Sequence, residues 1–123
     1  MILVDTSVWI DHLHATEPRL VALLESDEVG CHPLVIQELA LGSIRRRDHV
    51  LGLLANLRPF PTLGHDEVLA FVEGRRLWGR GLSAADAHLV GAVTLVSGGQ
   101  IWTRDKRLVA AANDVGVAVL PEG

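Results

Sequence analysis

The chain opens on Ile2-Leu3-Val4, an apolar run without polar alternation that stops at an acid, Asp5. A strand of that composition has both faces buried, and strands buried on both faces belong to parallel sheets covered by helices. Parallel neighbours need long crossover connections, so this start predicts helices interleaved with further strands. The rest of the sequence supplies them. Thr6 or Ser7 can cap a helix from about Val8 to His14. Pro18 suits the first turn of a second helix, with Leu20, Val21, Leu23 and Leu24 at helical spacing. A strand is read over Glu28 to His32, then a helix over Leu34 to Leu41, opened by Pro33 and closed by Gly42 in a left-handed cap. Helical pattern continues from about Arg46 to Leu57 and from Asp66 to Trp78. Between them, Arg58-Pro59-Phe60-Pro61 breaks any helix and fits only a short edge strand. Gly79 and Gly81 mark a turn, and Ser83-Ala84-Ala85-Asp86 is a capping box that starts a helix running to about Val96. Ile101 to Thr103 read as a strand, Lys106 to Asp114 as a helix closed at Val115-Gly116, and Val117 to Leu120 as a last strand. The expectation is an α/β fold, a three-layer α/β/α sandwich with a mostly parallel central sheet, forming one domain over residues 1–123.

Composition narrows what such a domain does. With 49% hydrophobic and 21% charged residues the chain can bury a core, which excludes disorder. No apolar stretch approaches the roughly 20 residues of a membrane helix. The first residues have neither the basic start nor the cleavage site of a signal peptide. Cys31 is the single cysteine, so neither an internal disulfide nor a cysteine-rich zinc site is available, and it reads as a small buried hydrophobe. A cytoplasmic location follows as the default. His12 and His14 lie two apart and face different sides of a helix, and the other histidines are scattered, so a histidine zinc site is not supported. The formal charge of −4 argues against attraction of the whole surface to nucleic acid. Ten of the eleven basic residues are arginines, however, clustered at Arg45-Arg46-Arg47, at Arg75-Arg76 with Arg80, and at Arg104-Lys106-Arg107. These clusters read either as solvated helix faces or as the basic rim of a nucleic-acid site.

Four acids stand out by position. Doubly wound sheets bind ligands beyond the carboxyl ends of their strands. Asp5 ends the first strand there, and Asp105 lies two residues past Thr103 at the end of another. Asp105 has a second reading as a helix cap. For Asp5 that need is smaller, since Thr6 and Ser7 stand beside it. Asp86 is accounted for structurally by its capping box, yet it begins a helix at the same edge. Glu38 lies inside the apolar helix Leu34-Val35-Ile36-Gln37-Glu38-Leu39-Ala40-Leu41, where a carboxylate is costly unless it is paired, bonded to a cation, or shares a narrow wet strip with Gln37. Together the four form a cluster of like charges that a hard divalent cation resolves, because Mg²⁺ and Mn²⁺ take oxygen ligands. Paired ions about 4 Å apart can activate water for phosphodiester cleavage.

At this point the motifs resemble those of PIN-domain nucleases. Ile2-Leu3-Val4-Asp5-Thr6-Ser7 looks like the family's first motif, and His32-Pro33-Leu34-Val35-Ile36-Gln37-Glu38-Leu39-Ala40-Leu41-Gly42 like its second. Leu82-Ser83-Ala84-Ala85-Asp86-Ala87-His88-Leu89-Val90-Gly91-Ala92 looks like the third, and Ile101-Trp102-Thr103-Arg104-Asp105-Lys106-Arg107-Leu108 like the fourth. Any single motif is weak. Four in register over nearly the whole chain are specific, and the short single-domain form is similar to the VapC toxins of toxin–antitoxin pairs. The resemblance implies an endoribonuclease that uses Mg²⁺ or Mn²⁺ to cut structured RNA of the transfer or ribosomal type. Asp5, Glu38, Asp86 and Asp105 would be its catalytic, metal-binding acids, with Thr6 and Thr103 as supporting hydroxyls. A homodimer and a VapB-like antitoxin, lying across the groove near the acids, are implied as partners. Arg104 and Lys106 beside the site and Arg45, Arg46 and Arg47 farther out would engage RNA phosphates. Trp9, Trp78 and Trp102 read as core residues, with base stacking as the alternative.

Two other classes remain to be weighed. A receiver-like, Mg²⁺-binding signalling domain has similar length and fold, but needs paired acids after the first strand and an acceptor aspartate ending a middle strand; here Asp5 stands alone. A non-catalytic RNA-binding PIN-like module typically lacks one or more of the four acids, and all four are present.

Overall fold

A computed structural model describes all 123 residues. The elements follow in the order β1 (Ile2–Val4), α1 (Thr6–His14), α2 (Pro18–Glu25), β2 (Val29–Cys31), α3 (Pro33–Ala40) and α4 (Arg47–Ala55). The second half comprises β3 (Arg58–Pro59), α5 (His65–Arg75), α6 (Ala84–Thr94), β4 (Gln100–Trp102), α7 (Lys106–Asp114) and β5 (Ala118–Val119). The five strands form one sheet in the order β3-β2-β1-β4-β5, and every neighbouring pair is parallel. Helices cover both faces of this sheet, which completes the three-layer sandwich.

The centre of the sheet is β1, whose three residues are all buried, as its unbroken apolar run requires. Successive crossovers leave it toward β2 and β3 in one direction, while β4 and β5 lie on the other side. Right-handed crossovers in opposite directions place their helices on opposite faces. Accordingly α3 packs on α1 and α4, whereas α6 packs on α5 and α7. The approach of α5 to α6 is close at Gly91, where a Cβ would collide with Leu63 and press on Phe71. A larger residue there, on the helix that carries Asp86, would displace the Leu63 side chain.

Several boundaries differ from the sequence expectation. Helix α1 starts at Thr6, directly after Asp5, rather than at Val8. Gly42 does not adopt the left-handed conformation; α3 ends through Leu41, which stays right-handed and returns its N–H to the Gln37 carbonyl, while the Gly42 N–H bonds to the Leu39 carbonyl. The left-handed stop belongs instead to Arg76, which ends α5 three residues short of the expected limit. The Gly79–Gly81 turn stands as expected, both glycines taking positive φ. Arg58–Pro59 is the exposed edge strand, where a proline's missing N–H does no harm.

Candidate active site

The sheet changes winding direction between β1 and β4, so the crevice for a ligand lies beyond Val4 and Trp102. Asp5 and Thr103 follow these two residues. Asp5 occupies the cap position of α1 with extended backbone, yet its side chain makes no cap bond. Its Oδ2 instead accepts from Ser7 Oγ at 2.9 Å and from Thr103 Oγ1 at 2.8 Å. Thr103 Oγ1 in turn accepts the Asp105 N–H at 3.1 Å, and Ser7 Oγ accepts the Arg104 N–H at 3.3 Å. One hydroxyl from α1 and one from the end of β4 thus fix a carboxylate that is only 7% exposed.

The other three acids are also anchored on one side. Glu38, on α3, accepts from Thr6 Oγ1 through Oε1 at 3.0 Å. Asp86 closes the capping box of α6: its Oδ2 accepts the Ser83 N–H at 3.0 Å, and its own N–H binds Ser83 Oγ at 3.1 Å. Asp105 caps α7 through Oδ1, which accepts the Arg107 N–H at 2.9 Å. The capping readings of Asp86 and Asp105 are therefore correct, and they leave room for a second role. In each of the four carboxylates one oxygen bonds to the protein, while Asp5 Oδ1, Glu38 Oε2, Asp86 Oδ1 and Asp105 Oδ2 take no hydrogen bond from it. A carboxylate oxygen has capacity for about two further partners.

Electrostatics ties Glu38 to Asp5 and Asp86. Its carboxyl lies above the ordinary glutamate range, first because of burial and then because the charges of Asp5 and Asp86 reach it, with the Thr6 hydroxyl working the other way. Such crowding of acceptor-only groups suits a hard divalent cation. No three carboxylate, imidazole or thiol side chains stand close enough to enclose an ion unaided. A cation here would take one or two carboxylates and complete its shell with water or phosphate, which is how Mg²⁺ usually binds. The donor set therefore fits the ion that the motifs imply.

Two residues that sequence reasoning passed over support the site. Ser7 was assigned only a possible cap; its i+2 spacing from Asp5 was the available signal for a side-chain bond to that acid. His32, at the end of β2, caps α3 by accepting the Leu34 N–H at Nδ1, 3.0 Å away. Burial, and then His88, hold its pKa below the usual histidine value, and its Nε2 is buried with no partner. Cys31 beside it is buried, as expected, and burial pushes its thiol up to about 11.

The basic residues divide. Lys106 and Arg45 are exposed, and neither forms an ion pair. Arg46 is the left-handed residue that starts α4. Arg47 reaches back through Nε and Nη2 to the Ala40 carbonyl, at 3.2 and 2.9 Å, and so caps α3. Arg104 is committed inside the protein rather than held out toward a phosphate. Its guanidinium meets Asp11 at 2.6 Å, Glu17 at 2.7 Å and Glu122 at 3.0 Å, and lies over the Trp102 ring. Trp9 and Trp102 are core residues, 5% and 1% exposed, but Trp78 is 58% exposed and is not.

Comparison with known proteins agrees with this geometry. The PIN domain model matches residues 2–114. Ribonuclease VapC32 of Mycobacterium tuberculosis, present in two strains, is 66% identical over 122 residues, covering 99% of this chain and 98% of that protein. Among solved structures, FitAcB from Neisseria gonorrhoeae superposes with a TM-score of 0.63 at 26% identity, over 98% of this chain and 97% of that one. PAE2754 from Pyrobaculum aerophilum shares the fold, with a TM-score of 0.64 at 21% identity over 96% and 87% of the two chains. The family match over residues 2–114 and the 66% likeness along the whole chain show that the chain belongs to the PIN-domain family, among its VapC-like ribonucleases.

Proposed function

We propose that this chain is a single-domain, metal-dependent endoribonuclease that hydrolyses structured RNA, of the transfer or ribosomal type, as the toxin of a toxin–antitoxin pair. The observation that carries the reading is the half-anchored state of Asp5, Glu38, Asp86 and Asp105, each with one oxygen fixed and the other free of protein partners. Mg²⁺ or Mn²⁺, when bound, supplies Lewis acidity toward water and the phosphodiester. Asp5, Asp86 and Asp105 would hold the ion, one or two of them directly and the rest through its waters. Anchored oxygens keep the free ones in place, so little reorganisation is needed when charge develops at the phosphorus. Glu38, held on one side by Thr6, would orient the attacking water or hold a second ion. Thr6 and Thr103 act through the acids they hold. Arg45, Arg46 and Lys106 remain the candidates for phosphate contact, with Arg47 and Arg104 keeping their structural bonds.

A VapB-like antitoxin and a second copy of this chain are the proposed partners, and the cytoplasm the proposed location. No helix is long and apolar enough to cross a membrane. The test is to express the chain alone in a bacterial cell and sequence new RNA 5′ ends, with Asp5→Asn as control. Discrete ends that disappear with the control are expected, along with a variant that remains folded. Ends that persist at near-normal yield would remove Asp5 from the reaction. Folded protein giving no new ends would favour the non-catalytic RNA-binding alternative.

A further inference from the structure

Trp78 lines an apolar cleft of about 160 Å³ together with Val72, Leu77, Leu82, Ala84 and Ala87. Space of that size matches a single aromatic ring system. The segment presenting the indole is braced. Leu77 is buried and bonds to the Val72 carbonyl at 3.0 Å, and Arg80 pairs with Asp114 at 2.7 Å. The Arg107 side chain lies against Gly81, where a Cβ would meet its Nη1 at 3.0 Å. Arg76, Gly79 and Gly81 hold φ of 54°, 71° and 76°, values that give the turn a defined shape. An indole left in solvent on so constrained a turn is presented rather than unplaced.

Two connections set this cleft against the catalytic acids. Ser83 belongs to its lining and shares the capping box with Asp86. Arg107, along the same turn, donates its backbone N–H to Asp105 and its Nη1 to the Gly81 carbonyl at 3.4 Å. The slot therefore adjoins the helix starts that carry Asp86 and Asp105. Its lining holds no charged side chain, while Arg107, whose guanidinium lies against Gly81 of the same turn, forms no ion pair. An apolar slot with an unpaired guanidinium along its turn complements a nucleotide, which joins an aromatic face to an anionic backbone. An apolar peptide would fill the slot and leave the Arg107 charge unused.

We infer that the cleft receives one unpaired nucleobase adjacent to the scissile phosphate, with Trp78 stacking on it as a specificity-determining residue. The inference rests on the ribonuclease reading above. Stacking needs a splayed base, so the substrate position it reads lies in a loop or single-stranded stretch.

The test uses the full chain with bulk transfer RNA for cleavage. On an Asp5→Asn background, fluorescence is titrated with short single-stranded oligoribonucleotides and, separately, with inorganic polyphosphate. Trp78→Ala is expected to raise KM on the order of ten-fold with kcat largely kept, since losing one base–aromatic stack has about that effect. Trp78→Phe should recover most of the loss, with both variants melting with the parent. Oligoribonucleotide should quench the exposed tryptophan, and polyphosphate should not. If the parent cleaves RNA and Trp78→Ala does so with unchanged KM, this inference falls and the nuclease reading stands. Unchanged RNA kinetics with loss of a stably bound protein partner would assign the slot to a protein and overturn the inference. A parent with no Asp5-dependent cleavage would remove both readings.

Discussion

Glu38 is where a single residue carries opposing demands. Its carboxyl is raised by burial and by two neighbouring acids, so in the folded chain its protonated form is favoured. For a raised carboxyl the contribution to stability is present at low pH, below the unfolded value, and is lost as pH rises through the folded value. At neutral pH the ionised group therefore works against folding unless a cation is present. Glu38→Gln keeps the acceptor for Thr6 and deletes the charge. In chelator at neutral pH this variant should melt about 1–3 °C higher than the parent, on the order of half a kcal/mol after solvent screening. The difference should vanish below the carboxylate range and shrink when Mn²⁺ is added, while cleavage is lost. Thermal scans across pH check this; a lower melting point in chelator would show that the acids do not repel as described. The position of Glu38 was legible in the sequence, and its cause is the narrow wet strip shared with Gln37, one of the readings open there, since both residues are exposed. Which of its oxygens is free was not, since that depends on a Thr6 rotamer contributed from 32 residues away.

Among elements, the junction at the end of β4 depends on Arg104. Its guanidinium joins α1 through Asp11, the α1–α2 turn through Glu17 and the final residues through Glu122. Glu122 also accepts from Trp102 Nε1 at 3.0 Å, and Arg104 holds its carboxyl below the usual range. A depressed carboxyl contributes stability above its unfolded pKa and loses it as pH falls through the folded value. Arg104→Met should thus cost about 1–2 kcal/mol at neutral pH, a penalty that fades in part on acidification as Glu122 protonates. Arg104→Lys should not restore it, because a point charge cannot satisfy three carboxylates that a planar fork reaches together. Denaturant titrations at two pH values decide this; equal losses at both would place the effect in packing over Trp102. The sequence reading assigned Arg104 to RNA for an understandable reason. It sits between Thr103 and Asp105, while its partners Asp11 and Glu17 are 93 and 87 residues distant and nothing local announces them. Helix starts, by contrast, were well legible: the Ser83 capping box and the Asp105 start of α7 appear where expected, because caps are local chemistry. Helix ends were less so, as the left-handed Arg76 and right-handed Leu41 show, since tertiary packing overrides the preference for glycine there.

At the scale of the molecule, everything is built outward from β1. Leu3 is fully buried at the centre of a sheet whose strands reach it from both sides. Leu3→Ala should cost about 2–5 kcal/mol through lost transfer energy and an unfilled cavity. Against a typical margin of about 5–15 kcal/mol, that loss would leave the chain near its threshold. Equilibrium unfolding would register it as a lowered midpoint with an unchanged slope, and a loss under 1 kcal/mol would mean the sheet repacks around the gap. The parallel order was legible from the unbroken apolar run. The placement of Trp78 outside the core was not, because helical spacing alone does not say which side of a turn faces solvent.

The bond from Thr103 to Asp5 spans 98 residues. It has a consequence in time as well as in space. A ribosome that has made only β1 to β3 has released Asp5 and Glu38, but neither the strand that pairs with β1 on its far side nor the hydroxyl that orients the first acid. Domains emerge amino end first and complete their long-range pairings only when the distant segment arrives. On the site proposed above, a nascent chain of this kind would stay harmless to the RNA around it until synthesis has passed Asp105, almost the whole translation time of the chain.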